Sequence, residues 1–251
     1  MSAHNRITLQ KISRGLRSRY PIFYVLGWEE ERIERLLRSV AKSYYSENDR
    51  LIVWTATNGF SPRIDSSAES TPANSAEISN EPVTDPLLAL QRISESDRQA
   101  MYLMKDLPIW FDNNPALVRA VRDLYYRLRQ RNIHVFLSYP QLILPEILKK
   151  EIFLIEMDLP SEEEIVEVLK AGNIAADTPY DHLHRFAAAM RGLSLNEVGH
   201  LQARLFRGEP VDPSASLEEI QEEKAQLLRK ESCLRFFRRS ARWTMSAAWK
   251  T

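Results

Sequence analysis

Tyr20-Pro21-Ile22-Phe23-Tyr24-Val25-Leu26-Gly27-Trp28-Glu29-Glu30-Glu31-Arg32 is the stretch whose reading sets the fold. Pro21 resets the backbone, because the residue before a proline disfavours the helical region. Ile22 to Leu26 is then apolar on both faces, as a strand covered on both sides must be. One glycine ends the run and an acidic helix start follows at once. Ile33, Leu36, Leu37, Val40, Ala41 and Tyr44 recur at three- and four-residue intervals, the clearest amphipathic helix in the chain. In many α/β proteins such a strand-turn-helix corner grips a phosphate on the backbone N–H groups of the helix start. Here Glu29, Glu30 and Glu31 crowd that place.

The same rhythm repeats outward. Leu51 to Trp54 reads as a second strand, Ala100 to Met104 as a third, Ile133 to Leu137 as a fourth and Ile152 to Ile155 as a fifth. Between them, Asp85-Pro86 and Asn114-Pro115 are N-caps followed by proline at the first helical position, and each opens a periodic helix. Pro145 to Lys150 suits a short helix. Ahead of the first strand, Leu9, Ile12 and Leu16 mark a leading helix with a basic outer face. Strands alternating with helices predict a five-stranded parallel sheet sandwiched by helices. From residue 61 to 83 the composition turns to Ser, Thr, Ala, Pro, Asn and Glu, which cannot bury enough apolar surface to offset ordering entropy. That segment is expected as a disordered insertion inside a domain spanning residues 1–159.

After Pro160 the pattern is helical only. Ser161-x-x-Glu164, Ser194-x-x-Glu197 and Ser216-x-x-Glu219 match the capping box, each ahead of a periodic segment. A small all-helical lid subdomain is expected over residues 160–234. Residues 235–251 mix Arg235, Arg238, Arg239, Arg242 and Lys250 with Phe236, Phe237, Trp243 and Trp249, and no periodicity settles their structure.

Composition narrows the function classes. Thirty-four basic and thirty-four acidic residues cancel, so net charge names no polyanionic partner. The lone Cys233 excludes an internal disulfide and suits a reducing compartment. No apolar stretch approaches the roughly 18–20 residues of a spanning helix.

Several short motifs, in order, carry a family resemblance: Arg19 to Tyr24 with Trp28 to Arg32, Val53-Trp54, Asp85-Pro86-Leu87, Leu103-Met104-Lys105-Asp106, Asp158 to Ile165, Gly192-Leu193-Ser194 and Glu222-Glu223-Lys224. From about residue 8 to 235 the chain resembles the N-terminal region of an AAA-type ATPase family of cyanobacteria and algal plastids, the hypothetical chloroplast reading frame forty-six. The resemblance implies a degenerate P-loop, AAA-like α/β fold with a helical lid. It also implies that an ATP-hydrolysing module follows this region in family members. The sequence stops where that module is expected, so a truncated or split form is the expectation. A bacterial cytoplasm, or a plastid stroma, is the implied compartment.

A working phosphate loop needs G-x-x-x-x-G-K-[ST], and the chain contains no Gly-Lys dipeptide. Carboxylates in the first helical turn meet the positive end of the helix dipole and repel a phosphate brought alongside. A self-capped helix start is therefore expected at this corner. Asp106 follows an apolar strand, where a Walker-B aspartate would hold Mg²⁺, but Leu107 and Pro108 replace the carboxylate that usually comes next. Ser138 stands where a sensor residue often sits, although a turn-initiating Ser-Tyr-Pro explains it equally well. His182 and His184, two apart, do not have the spacing of paired helical metal ligands, and His134 reads as packed or solvated.

The expectation is a non-catalytic regulatory or protein-interaction domain of an AAA-type ATPase, with no catalytic residue, metal or cofactor. Trp28, Glu29, Glu30, Glu31 and Arg32 are its interaction candidates, and its partner a separate AAA module or a second copy. The alternative is an ATP-binding subunit working with another chain, with ATP and Mg²⁺ held near Gly27, Asp106 and Ser138. Nucleic-acid binding through residues 235–251 is a third, less favoured reading.

Overall fold

The computed structural model describes residues 3–46, 50–61, 82–172, 180–205 and 216–226. The insertion expected at 61–83 and the tail at 235–251 fall almost wholly or wholly outside these residues. The chain divides into two compact units, one through Asp158 and one from Leu159 onward.

In the first unit, helix α1 (Ala3–Arg17) leads into strand β1 (Ile22–Leu26) and helix α2 (Glu30–Tyr44). Strands β2 (Leu51–Thr55) and β3 (Gly59–Ser61) follow, then helix α3 (Pro86–Glu95) and strand β4 (Met101–Lys105). A 3₁₀ segment (Leu107–Asn113), helix α4 (Pro115–Leu128), strand β5 (His134–Tyr139), a short 3₁₀ turn (Glu146–Leu148) and strand β6 (Ile152–Glu156) complete the unit. The sheet order is β3-β2-β4-β5-β1-β6. The five long strands are parallel, as their continuous apolar runs predict.

One strand departs from the expectation. β3 runs antiparallel to β2 and makes a sixth, edge strand. It is three residues long, too short to show alternation, and it turns on Gly59 in the left-handed region at φ 66°. The indole N–H of Trp54 donates to the carbonyl of Val83 at 2.7 Å, which ties the far side of the 62–81 segment back to the sheet edge. The helix expected at Pro145 to Lys150 is a single 3₁₀ turn at residues 146–148.

Alternate residues of each strand face opposite cores. Tyr24, Ile52, Trp54, Tyr102, Met104, Val135 and Leu137 pack with buried residues of α3 and α4. Phe23, Val25, Leu51, Val53, Met101, Leu103 and Phe136 pack with those of α1 and α2. The N-caps read from sequence are made: Asp85 accepts from the Leu88 N–H at 2.8 Å and Asn114 from the Leu117 N–H at 3.0 Å.

The second unit contains α5 (Glu162–Ala171), α6 (Tyr180–Met190), α7 (Leu195–Leu205) and a helical stretch at residues 216–226. Leu169, Phe186, Met190, Val198, Leu201 and Ile220 share its core. Ser161 and Glu164 form the reciprocal capping box, at 3.3 and 3.0 Å. Ser194 and Glu197 repeat it, with bonds of 3.3 and 2.7 Å. Among the described residues, no helix is long and apolar enough to cross a membrane.

Candidate functional site

The candidate site is the carboxyl edge of the sheet, where β1, β4 and β5 end and α2 begins. Only residues 27–29 connect β1 to α2. Gly27 donates its N–H to the Tyr139 carbonyl at 3.3 Å, still paired to β5. A Cβ on Gly27 would stand 3.0 Å from Cβ of Met157 and 3.3 Å from Cδ1 of Ile33, so a side chain here would press on both of these side chains. With so short a link, no loop of backbone N–H groups is available to wrap a phosphate.

Helix α2 carries Glu30 and Glu31 in its first turn, where their charge meets the positive end of the dipole, but it has no side-chain N-cap bond. Glu29 occupies the N-cap position but its side chain accepts no N–H from the helix. It turns to Arg32 instead, whose Nη1 lies 3.0 Å from Glu29 Oε2. The same Nη1 donates to the Asp158 carbonyl at 2.6 Å. Both side chains are buried, so Glu29 and Arg32 leave the group of surface candidates. They tie the start of α2 to the chain leaving β6. Trp28 (66% exposed), Glu30 and Glu31 remain on the surface.

The centre of the site is a residue the sequence reading passed over. Lys105, the last residue of β4, has Nζ 3.0 Å from Glu34 Oε2 and 3.3 Å from Glu30 Oε2. Arg38 holds the other oxygen of Glu34 at 2.9 Å. Burial disfavours the Lys105 ammonium, but Glu34 and then Glu30 outweigh it and lift its pKa above that of an ordinary lysine. Burial likewise pushes the Glu34 carboxyl up, and Lys105 with Arg38 more than offsets it, holding Glu34 below the usual range. The available signal was Glu30 and Glu34 at i, i+4 on one helix face, beside a lysine ending a strand.

Asp106 follows Lys105 in the left-handed region at φ 59°. Its N–H donates to the Ser138 carbonyl at 2.9 Å, and its own carbonyl accepts from Ile109 at 3.1 Å. The fold therefore brings Asp106 and Ser138 together, as an ATPase site would, but through backbone. Burial and then the charge of Glu30 push the Asp106 carboxyl up, and Lys105 offsets only part. The cation beside it is the Lys105 ammonium, which is already held by Glu30 and Glu34. The arrangement stores a fixed cation among carboxylates and repels further negative charge.

Sheet order defines the class first: an α/β domain with the fold of the P-loop ATPases. The likeness to solved structures is of that kind. Domain III of the Thermotoga maritima replication initiation protein DnaA superposes with a TM-score of 0.53 at 12% identity, over 89% of this chain and 93% of that one. A Walker-type ATPase of Pyrococcus abyssi gives 0.54 at 14% identity, over 94% and 76%. At these identities the likeness is one of fold.

Residues 8–157 match the profile of the SpoVK-like AAA ATPase N-terminal domain, and the chain belongs to that family. It is also similar to the uncharacterized AAA domain-containing protein ycf46 of Guillardia theta, 26% identical over 226 residues, 88% of this chain and 42% of the relative. The ycf46 protein of Pyropia yezoensis is 24% identical over 228 residues, 88% and 43% respectively. The chain thus spans less than half the length of these relatives.

Proposed function

We propose that this chain is a non-hydrolysing AAA-type domain that serves as a regulatory and protein-docking module. The observation that carries the reading is the Lys105 ammonium fixed between Glu30 and Glu34, beside a link of three residues at 27–29. A phosphate-binding corner needs free N–H groups and an uncommitted cation, and this corner has its cation neutralised by its own helix. The partner in this reading is an AAA module or a second copy, reached through the exposed Trp28, Glu30 and Glu31. A bacterial cytoplasm or a plastid stroma is the setting that the family resemblance supports.

The competing reading, an ATP-binding subunit completed by another chain, draws support from family membership. Isothermal titration of the full chain with ATP and Mg²⁺ separates the two. No saturable heat is expected. Tight Mg²⁺-dependent binding, lost in Asp106→Asn, would overturn the proposal.

A further inference from the structure

Sheet order leaves β6 with one neighbour, β1, and with no strand on its outer side. Natural edges are blunted by shortness, by a charge or proline within the strand, or by a bulge. The other edge follows that rule, since β3 is three residues long. β6 does not. Ile152-Phe153-Leu154-Ile155 carries no charge, proline or glycine, and the strand keeps one register with β1 as far as Glu156.

The ladder fixes which backbone groups face out. Met157 donates its N–H to the Leu26 carbonyl at 2.9 Å, so the odd-numbered residues here turn their backbone groups toward β1. Ile152, Leu154 and Glu156 therefore turn theirs away from the sheet. On one face of the strand Phe153 packs against Tyr20 and Phe23, with ring centroids 5.2 and 5.7 Å apart. On the other face Ile152 is buried, whereas Leu154, at the midpoint of the strand, is 38% exposed.

Charge along this edge changes sign. Lys149 and Lys150 precede the strand, Glu156 ends it and Asp158 follows. Lys149 is paired with Glu146, but among the described residues none forms an ion pair with Lys150, Glu156 or the Asp158 carboxylate. An edge that is basic ahead and acidic behind complements itself when reversed. Set antiparallel about Leu154, it brings Leu154 against Leu154, Ile152 against Glu156 and Lys150 against Asp158. The first two pairs join the residues whose backbone groups face outward.

We propose that β6 pairs antiparallel with β6 of a second copy of this chain, about a two-fold axis at Leu154, so that one sheet runs through both chains. The contact is isologous, and each copy contributes both the lysine and the aspartate. It lies apart from the exposed Trp28, Glu30 and Glu31 and does not depend on how that corner functions. A strand pair this short buries less than a standard interface, so the dimer forms as concentration rises.

Sedimentation velocity of the full chain over a concentration series in low salt tests it. The weight-average mass should climb from 29.1 kDa toward twice that value. Lys150→Glu and Asp158→Lys should each weaken the dimer about tenfold, because the axis repeats the pair, and the two together should restore it. Leu154→Lys sets two ammonium groups on the axis and should leave a monomer, with the melting temperature at low concentration close to that of the parent. In a Cys233→Ser background, Leu154→Cys should cross-link to itself under mild oxidation. The Cα atoms of a hydrogen-bonded antiparallel pair stand about 5.5 Å apart, within disulfide reach. A chain that stays monomeric to its solubility limit would overturn the proposal and leave the edge to a strand of another protein. A dimer indifferent to Leu154→Lys and to both charge reversals, or one that does not cross-link at position 154, would overturn it as well.

Discussion

Lys105 Nζ lies 3.0 Å from Glu34 Oε2, across the seam between β4 and α2. This contact joins the strand that would carry a magnesium-binding aspartate to the helix that would follow a phosphate loop. The cation at the corner is supplied by the chain itself, and its charge is matched by α2.

Lys105→Met should lower stability by about 1–3 kcal/mol, because Glu30 and Glu34 then face each other with one cation fewer. Urea unfolding at neutral pH measures it, and adding Glu34→Gln should restore part of the loss. The pH profile gives the sign. Glu34 is held low, so its contribution is present above the ordinary carboxylate range and lost as pH falls through its folded value. Lys105 is held high, so its contribution is present at neutrality and lost only as pH rises past the ordinary lysine value of 10.5. The methionine variant should flatten both limbs.

Asp106→Asn should stabilise the chain, by a few tenths to about 1 kcal/mol. Asparagine keeps the tolerance for the left-handed backbone and removes a charge that faces Glu30. A carboxyl whose folded pKa is raised costs stability once ionised, so the gain should be full at neutral pH and vanish in acid. Thermal melts at pH 7 and pH 3 check it, and a lower melting temperature at pH 7 would give the carboxylate a role this account denies.

Arg32→Met should cost about 3 kcal/mol, since it leaves the Glu29 carboxylate buried beside an apolar side chain. The paired replacement Glu29→Leu with Arg32→Met should recover most of that. Strict additivity of the two single losses in a double-mutant cycle would contradict the pairing.

His134 sets the acid limb. Burial, only partly offset by the Tyr20 carbonyl, lowers its pKa from 6.5 to about 4. The unfolded chain therefore binds a proton that the folded chain refuses between those values. Stability should be full above pH 6.5 and fall as pH drops toward 4, by up to about 3 kcal/mol from this residue. His134→Gln should flatten that slope in urea titrations run at stepped pH.

The long parallel strands were legible because Ile22 to Leu26 and Ile133 to Leu137 are apolar without interruption, and only a doubly covered strand asks for that. The caps at Asp85, Asn114, Ser161 and Ser194 were legible because capping is a local bond between neighbours in sequence. The hairpin strand β3 was not, because three residues show no period. Arg32 read as surface because charge usually marks solvent, and only the fold brings the Asp158 carbonyl to within 2.6 Å. Lys105 was passed over for the same reason: its partners lie about seventy positions away, and nothing local distinguishes it from any lysine ending a strand.

The link at residues 27–29 has an evolutionary consequence. Substitution can change a charge, so the glutamates alone would leave a route to nucleotide binding open. It cannot lengthen a chain. A phosphate loop needs its whole G-x-x-x-x-G stretch between strand and helix, and Gly27 already abuts Met157. Gaining one would require an insertion into this link, beside the Met157 and Ile33 side chains that already approach Gly27. On the reading proposed above, substitution alone therefore gives this corner no path to a phosphate grip.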